Sequence, residues 1–118
     1  MRSRLTALVL AGKKVATVGL WQEGYVDEGE ALDMVGERQV LLGNEDEPLA
    51  VIEVTRVDRV PFAEVTWEFA EAEGEGFTSV EDWRDRHRAF YAREGLTVTD
   101  DTLIVCLWFH LLPDPPIR

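Results

Sequence analysis

Apolar residues come in short runs broken by glycine, proline and acidic turns, and their spacing switches from helical to extended and back along the chain. Leu5, Leu8 and Val9 share one helical face over 3–12. Ser3 is the expected N-cap, and Gly12 can adopt the left-handed conformation that ends a helix. Lys13 and Lys14 then fall in the exit turn. The β-branched and small residues of 15–20 predict a strand. Two further strands, 39–42 and 49–57, flank the polar turn 43–48 and predict a hairpin. In its second arm Val51, Glu53, Thr55 and Val57 alternate with Ile52, Val54 and Arg56, so neither face is wholly apolar. Pro61 and Phe62 break the strand pattern.

Thr66 opens a short helical stretch through Trp67, Phe69, Ala70 and Glu73, stopped by Gly74 and Gly76. A longer helix starts at Thr78 or Ser79, because Thr78 with Glu81, or Ser79 with Asp82, has capping-box spacing, and it runs to about Glu94. Trp83, His87, Phe90 and Tyr91 form its single stripe. The final strand, 103–111, is apolar on both faces, with Leu103, Val105, Leu107 and Phe109 on one and Ile104, Cys106 and Trp108 on the other. Such a strand is central or barrel-forming, not an edge. The order predicts an α+β protein whose mostly antiparallel sheet closes toward a β-barrel, with flanking short helices. One domain is expected over 1–112, with the Pro-rich piece 113–118 as a C-terminal tail.

Composition narrows the field. The 118 residues are 46% hydrophobic and 30% charged, so a chain of this size can bury a real core. The longest uncharged stretch near the C-terminus, 102–112, is about half of the ~20 residues a bilayer-spanning helix needs. Arg2 and Arg4 before the apolar run 5–11 imitate a secretory signal. Lys13 and Lys14 follow where a small-residue cleavage site would stand, so a cytoplasmic protein is expected. The single cysteine, Cys106, leaves no internal disulfide to form.

The net charge of −11 opposes indiscriminate binding of polyanions. Two local exceptions exist: Arg2, Arg4, Lys13 and Lys14 near the N-terminus, and Arg84, Arg86, His87, Arg88 and Arg93 on the long helix. Brought together by the fold, they would hold a small phosphorylated or RNA ligand against the global charge. Kept apart, they are solvated faces.

The chain lacks a Gly-x-Ser-x-Gly elbow, a phosphate loop, paired cysteines and a close histidine pair. No metal or cofactor is therefore implied. What remains is Gly12, Lys14 and Thr17 in a Gly-x-Lys-x-x-Thr pattern, the Ile-Glu-Val-Thr strand 52–55, and the Ala-Glu-x-Glu segment 70–73. The Trp-x-x-x-His helix carrying Trp83 and His87 and the terminal Phe-containing strand complete the set. In this order and spacing they resemble the ASCH family, small domains with a barrel similar to the PUA RNA-binding domain, over nearly the whole chain.

The resemblance implies binding of RNA, its cleavage by a ribonuclease, or hydrolysis of the amide of acylated cytidines. In the amidohydrolase branch a lysine, a threonine and a glutamate form the catalytic set. They correspond here to Lys14, Thr17 and Glu73. That branch continues with basic residues after its threonine, where this chain has Val18, Gly19, Leu20 and Trp21, which implies a different pocket wall. A small nucleoside-like ligand or RNA is the implied partner, with Trp21, Trp83, Arg84 and His87 as candidate ligand-binding residues.

The residues themselves carry this chemistry only under constraints. A threonine hydroxyl needs a base to take its proton. Residues three apart in one strand point to opposite faces, so Lys14 must lie in the turn and Thr17 on the strand for both to face one cavity. Glu73, at the end of its helix, sits at the negative end of the dipole, unfavourable by roughly 0.3–1 kcal/mol, and a neighbouring Lys14 would offset that. The plainer alternative makes Lys14 a helix-terminal cation, Thr17 a strand residue and Glu73 part of a solvated acidic run. Trp83, Phe90 and Tyr91 are core candidates, as are Trp67 and Trp108. Trp21, Tyr25 and Trp83 are also able to stack on a base, and His87 is either a buried partner or a pocket donor.

Overall fold

A computed structural model describes residues 2–113. It contains the helix α1 (Arg2–Leu10), strands β1 (Ala16–Leu20), β2 (Arg38–Leu42), β3 (Pro48–Pro61) and β4 (Leu103–Leu111), and helices α2 (Trp67–Ala72) and α3 (Val80–Arg93). The strands form one antiparallel sheet in the order β1-β4-β3-β2, curled into a half-barrel with the short helices around it. The apolar strand β4 is central, as its two greasy faces require. Of the expected tail, 113–118, all but Pro113 lies outside the described residues. Among the described residues no helix is long and apolar enough to cross a membrane.

Both faces of β4 are used. Ile104 and Cys106 pack with Ala16 and Leu20 of β1 against Phe62, Phe69, Ala70 and Trp83, and Trp108 lies against the same cluster. Phe109, on the other face, packs with Ile52 and with Val9 of α1. The sheet is thus clad by α2 and α3 on one side and by α1 on the other. The curl has a local cause. Val54 pairs with Phe109 and Arg56 with Trp108, so Thr55 is an extra residue in β3. A bulge of this kind bends a strand and increases its twist.

The helix ends follow local chemistry. The Gly12 amide donates to the Val9 carbonyl and the Lys13 amide to that of Leu8, with Gly12 at φ +75°, which is a Schellman closure of α1. Thr66 caps α2 by accepting from the Phe69 amide, and Ser79 caps α3 by accepting from that of Asp82.

Three expectations are corrected, and one turn is found for which there was no expectation. Helix α1 begins at Arg2, so Ser3 lies inside it and is not its cap. Strand β3 runs to Pro61, past the expected end at Val57, because Arg59, Val60 and Pro61 keep pairing with Val105, Ile104 and Leu103. Proline is tolerated there at the strand's last position. Trp67 is 39% exposed and outside the core, since it occupies the solvent side of the first turn of α2. A single π-helical turn, Gln22–Val26, follows β1 where the sequence pattern indicated nothing regular.

Replacing Ser79 by alanine removes the α3 cap. It is expected to cost ~1 kcal/mol and lower the melting temperature by several degrees, read by circular dichroism.

Candidate functional site

Lys14 lies in the turn between α1 and β1, and Thr17 lies on β1 beside Leu107 of β4. The turn is held on both sides. The Lys14 amide donates to the Leu8 carbonyl, the Val15 amide to that of Ala72 at the end of α2, and the Phe109 amide to that of Val15. These bonds fix Lys14 against the C-terminus of α2, where Glu73 is the C-cap. Lys14 and Glu73 are 59 positions apart in the chain and adjacent in space.

The Lys14 ammonium is 5% exposed and has three acceptors. Its Nζ donates to Glu73 Oε2 at 3.2 Å, to Glu75 Oε2 at 2.9 Å and to the Glu73 carbonyl at 3.4 Å. The last bond satisfies a carbonyl at the end of α2 and supplies the cation that the helix dipole calls for. Glu73 is 2% exposed, and its other carboxylate oxygen accepts from Trp83 Nε1 at 2.7 Å. The solvated acidic run therefore does not describe Glu73. Burial pushes its carboxyl up to about 7, against the opposing pull of Lys14 and of the Trp83 hydrogen bond.

His87 completes the polar cluster. Its Nδ1 lies 2.8 Å from the Trp83 carbonyl, which can only accept, so Nδ1 carries the proton. In the neutral ring Nε2 then presents a lone pair 3.7 Å from Glu73 Oε1. Burial lowers the His87 pKa, favouring the neutral form, and the ring stacks on Trp83 with centroids 4.0 Å apart.

These groups border one cavity of about 360 Å³, whose walls include Lys14, Thr17, Glu73, Glu75 and His87, with Phe77, Phe90 and Tyr91 as its aromatic side. A cavity of this size is in the range of small-molecule sites. An apolar groove of about 570 Å³ between α1 and the sheet shares the walls Leu5, Lys14 and Thr17 with it. Among the described residues no cluster of three or more histidine, cysteine or acidic side chains is arranged to hold a metal ion.

The other candidates lie elsewhere. Trp83 is fully buried and touches the site only through Glu73 and His87. Trp21 stacks on Tyr25 beside the π-helical turn, with the Arg59 guanidinium 4.7 Å from its ring centroid. Tyr25 itself is tied to Asp33. Arg84 donates to the carbonyls of Ala63 and Val65, which anchors the turn after β3 to α3, away from the cavity. Phe90 and Tyr91, expected in the core, are half-buried and line the cavity.

Two participants were not legible as such. Glu75 gives Lys14 its shortest contact, and its only signal was the Glu-x-Glu spacing across Gly74. Gly74 was read as a helix stop. It has φ +69°, and a Cβ there would meet the Lys13 carbonyl oxygen at 2.0 Å. The backbones of the two turns touch, and glycine alone permits it.

A family model described as the ASCH domain matches residues 1–113. The chain belongs to the ASCH domain family. The crystal structure of protein EF3133 from Enterococcus faecalis is 33% identical with a TM-score of 0.79, covering 92% of this chain and 67% of its own. An ASCH domain from Lactobacillus crispatus is 32% identical with a TM-score of 0.76, over 92% and 70% of the two chains. The hypothetical protein PH0355, at 19% identity and a TM-score of 0.63 over 95% and 94%, shares the fold. No protein of curated function matches the chain. This ASCH domain is thus a PUA-like domain of the type associated with RNA binding.

Two outcomes test the cluster. Gly74→Ala is expected to destabilise the domain by at least ~2 kcal/mol in urea unfolding, from the left-handed backbone and the forced separation of the two turns. Glu73 gives a pH signature. Its folded pKa lies above its ordinary 4.5, so its stabilising contribution is complete below pH 4.5 and is lost as pH rises to about 7. The stability of the wild type relative to Glu73→Gln should therefore fall across that interval and level off above it. A difference independent of pH would show that Glu73 titrates normally.

Proposed function

We propose that this ASCH domain hydrolyses the amide of acylated pyrimidine nucleosides, with Lys14, Thr17 and Glu73 as its catalytic residues. The observation that carries the reading is that all three side chains line one cavity of nucleoside-accommodating size, with Lys14 and Glu73 bonded to each other in its wall. The base stacks on the aromatic side formed by Phe77, Phe90 and Tyr91, and the acyl carbonyl reaches Thr17.

As an ammonium, Lys14 has no lone pair with which to act as a base. It first passes a proton to Glu73, whose carboxylate burial makes more basic than an ordinary one. The amine then takes the proton of the Thr17 hydroxyl as its oxygen attacks the carbonyl carbon. The C–N bond breaks, the leaving amine takes the proton from Glu73, and an acyl ester remains on Thr17. Water repeats the cycle: it gives a proton to Lys14, the ester C–O bond breaks, and Glu73 returns a proton to the Thr17 oxygen. Atoms and charges balance, and the products are a carboxylic acid and the free nucleoside. Glu75 keeps Lys14 in place throughout. The ion pair, which in isolation would hold Lys14 as a spectator cation, thereby becomes the proton reservoir.

A second reading, a non-catalytic RNA-binding module or an ASCH-type ribonuclease, draws on Arg4, Arg86 and Arg93 around the same cavity and on the PUA-like fold.

Incubation with N4-acetylcytidine, followed by chromatography, is expected to release cytidine. Thr17→Ala and Glu73→Gln should each lower kcat by about 10²–10⁴-fold, the usual scale for removing a nucleophile's or proton carrier's contribution. Release no faster than in buffer by the wild type sinks the hydrolase. RNA binding that weakens with salt, or cleavage of RNA in the absence of cytidine release, would favour the second reading.

A further inference from the structure

The net charge of −11 makes the cations around this cavity conspicuous. Arg4 comes from α1, Lys14 from the turn after it, and Arg86 and Arg93 from α3, so two separated basic segments meet at one opening. These four cations outnumber the two carboxylates, Glu73 and Glu75, and both carboxylates are engaged by Lys14. Not every arginine of α3 takes part: Arg84 is bound to backbone carbonyls, and Arg88 to Asp85 and Asp100.

The three arginines differ in how they are held. Arg86 is fixed by Asp82 Oδ2 at 3.0 Å and the Gly76 carbonyl at 3.0 Å, with its guanidinium 4.6 Å from the Phe77 ring centroid. Arg4 meets Glu75 only at the long distances of 3.9 Å to Oε1 and 3.5 Å to the carbonyl. Arg93 makes no ion pair with any described residue, although seven positions from Arg86 it lies on the same side of α3. Arg4 and Arg93 therefore face the opening with most of their donors uncommitted. Guanidinium groups are suited to the planar, multi-oxygen face of phosphate.

We propose that Arg4 and Arg93, with Arg86 held beside them, form a subsite for a terminal phosphate, so that the ligand of this cavity is a nucleotide and not a free nucleoside. The inference rests on the nucleoside-hydrolase reading above and specifies its substrate. The aromatic wall takes the base, the cavity floor holds the reacting amide, and the arginines take the phosphomonoester at the mouth. Screening by salt should weaken this last contribution selectively.

Binding of cytidine 5′-monophosphate (CMP), cytidine and inorganic phosphate, measured by calorimetry at low and physiological salt, tests the subsite. CMP is expected to bind roughly tenfold or more tightly than cytidine, the scale of charge-assisted hydrogen bonds, with the ratio shrinking as salt rises. Arg93→Ala and Arg4→Ala should each bring the CMP-to-cytidine ratio toward one, and Arg93→Lys should restore part of it. Equal affinities for CMP and cytidine overturn the subsite, as does a ratio indifferent to Arg4 and Arg93. So does tighter binding of an unphosphorylated single-stranded oligonucleotide than of CMP, which would reassign the arginines to a strand backbone. The two proposals fail separately. Cytidine release without a CMP preference removes the phosphate subsite alone, whereas arginine-dependent binding of CMP and phosphate without cytidine release removes the hydrolase alone.

Discussion

An ammonium taken out of water between two carboxylates is the interaction on which this domain turns. Removing one partner of such a buried pair costs several kcal/mol, because the remaining charge is left uncompensated in a medium that solvates it poorly. Lys14 therefore does not tolerate loose geometry. It needs Glu73, Glu75 and the carbonyl at the end of α2 all within hydrogen-bonding distance, and that demand fixes the turn after α1 against the C-terminus of α2. The ion cluster adds to the backbone bond between the Val15 amide and the Ala72 carbonyl, which joins the same segments.

The backbone serves the same end. Gly74 lets the chain leave α2 in a left-handed turn that touches the Lys13 carbonyl, and the Val15 amide closes the contact on Ala72. On the other side of Glu73, Trp83 donates its only polar hydrogen to the carboxylate and presents its face to His87. The largest fully buried side chain is thus at once a core residue and a support of the polar cluster. Buried polar networks of this sort are costly unless nearly every member is satisfied, and here each carboxylate oxygen of Glu73 has a donor. A carboxyl pushed up to about 7 beside a lysine is the compromise that burial and pairing reach together.

Local rules determined much of this protein from its sequence. The two-faced apolar run of β4 made it central, the polar turn between β2 and β3 made a hairpin, and Ser79, Thr66 and Gly12 marked helix ends through capping chemistry that needs only near neighbours. The ASCH resemblance singled out Lys14 and Glu73, and Glu73 at a helix terminus wanting a cation made their pairing legible before any packing was known. That resemblance rested on Gly12, Lys14 and Thr17, the segments 52–55 and 70–73, the Trp83 and His87 helix and the last strand, and the family match over 1–113 agrees with it. What local rules could not show were features set by distant partners: the reach of β3 to Pro61, sustained by pairing with β4, and the bulge at Thr55 that curls the sheet.

Tertiary structure alone decided which charges met. The arginines and lysines looked equivalent along the chain, yet among the described residues Arg4, Lys14, Arg86 and Arg93 line the cavity, while Arg84 and Arg88 are spent on carbonyls and carboxylates elsewhere. Trp21 and Trp83 were equally aromatic in the sequence, and burial separated them: one stacks on Tyr25 outside the cavity and the other became its hidden scaffold. Glu75 acquired its place only because Gly74 turns the chain back toward Lys14. The reason is general. Capping and periodicity act over a few residues and are written in sequence spacing, whereas the electrostatic character of a cavity depends on which segments the core brings within a few ångströms of one another.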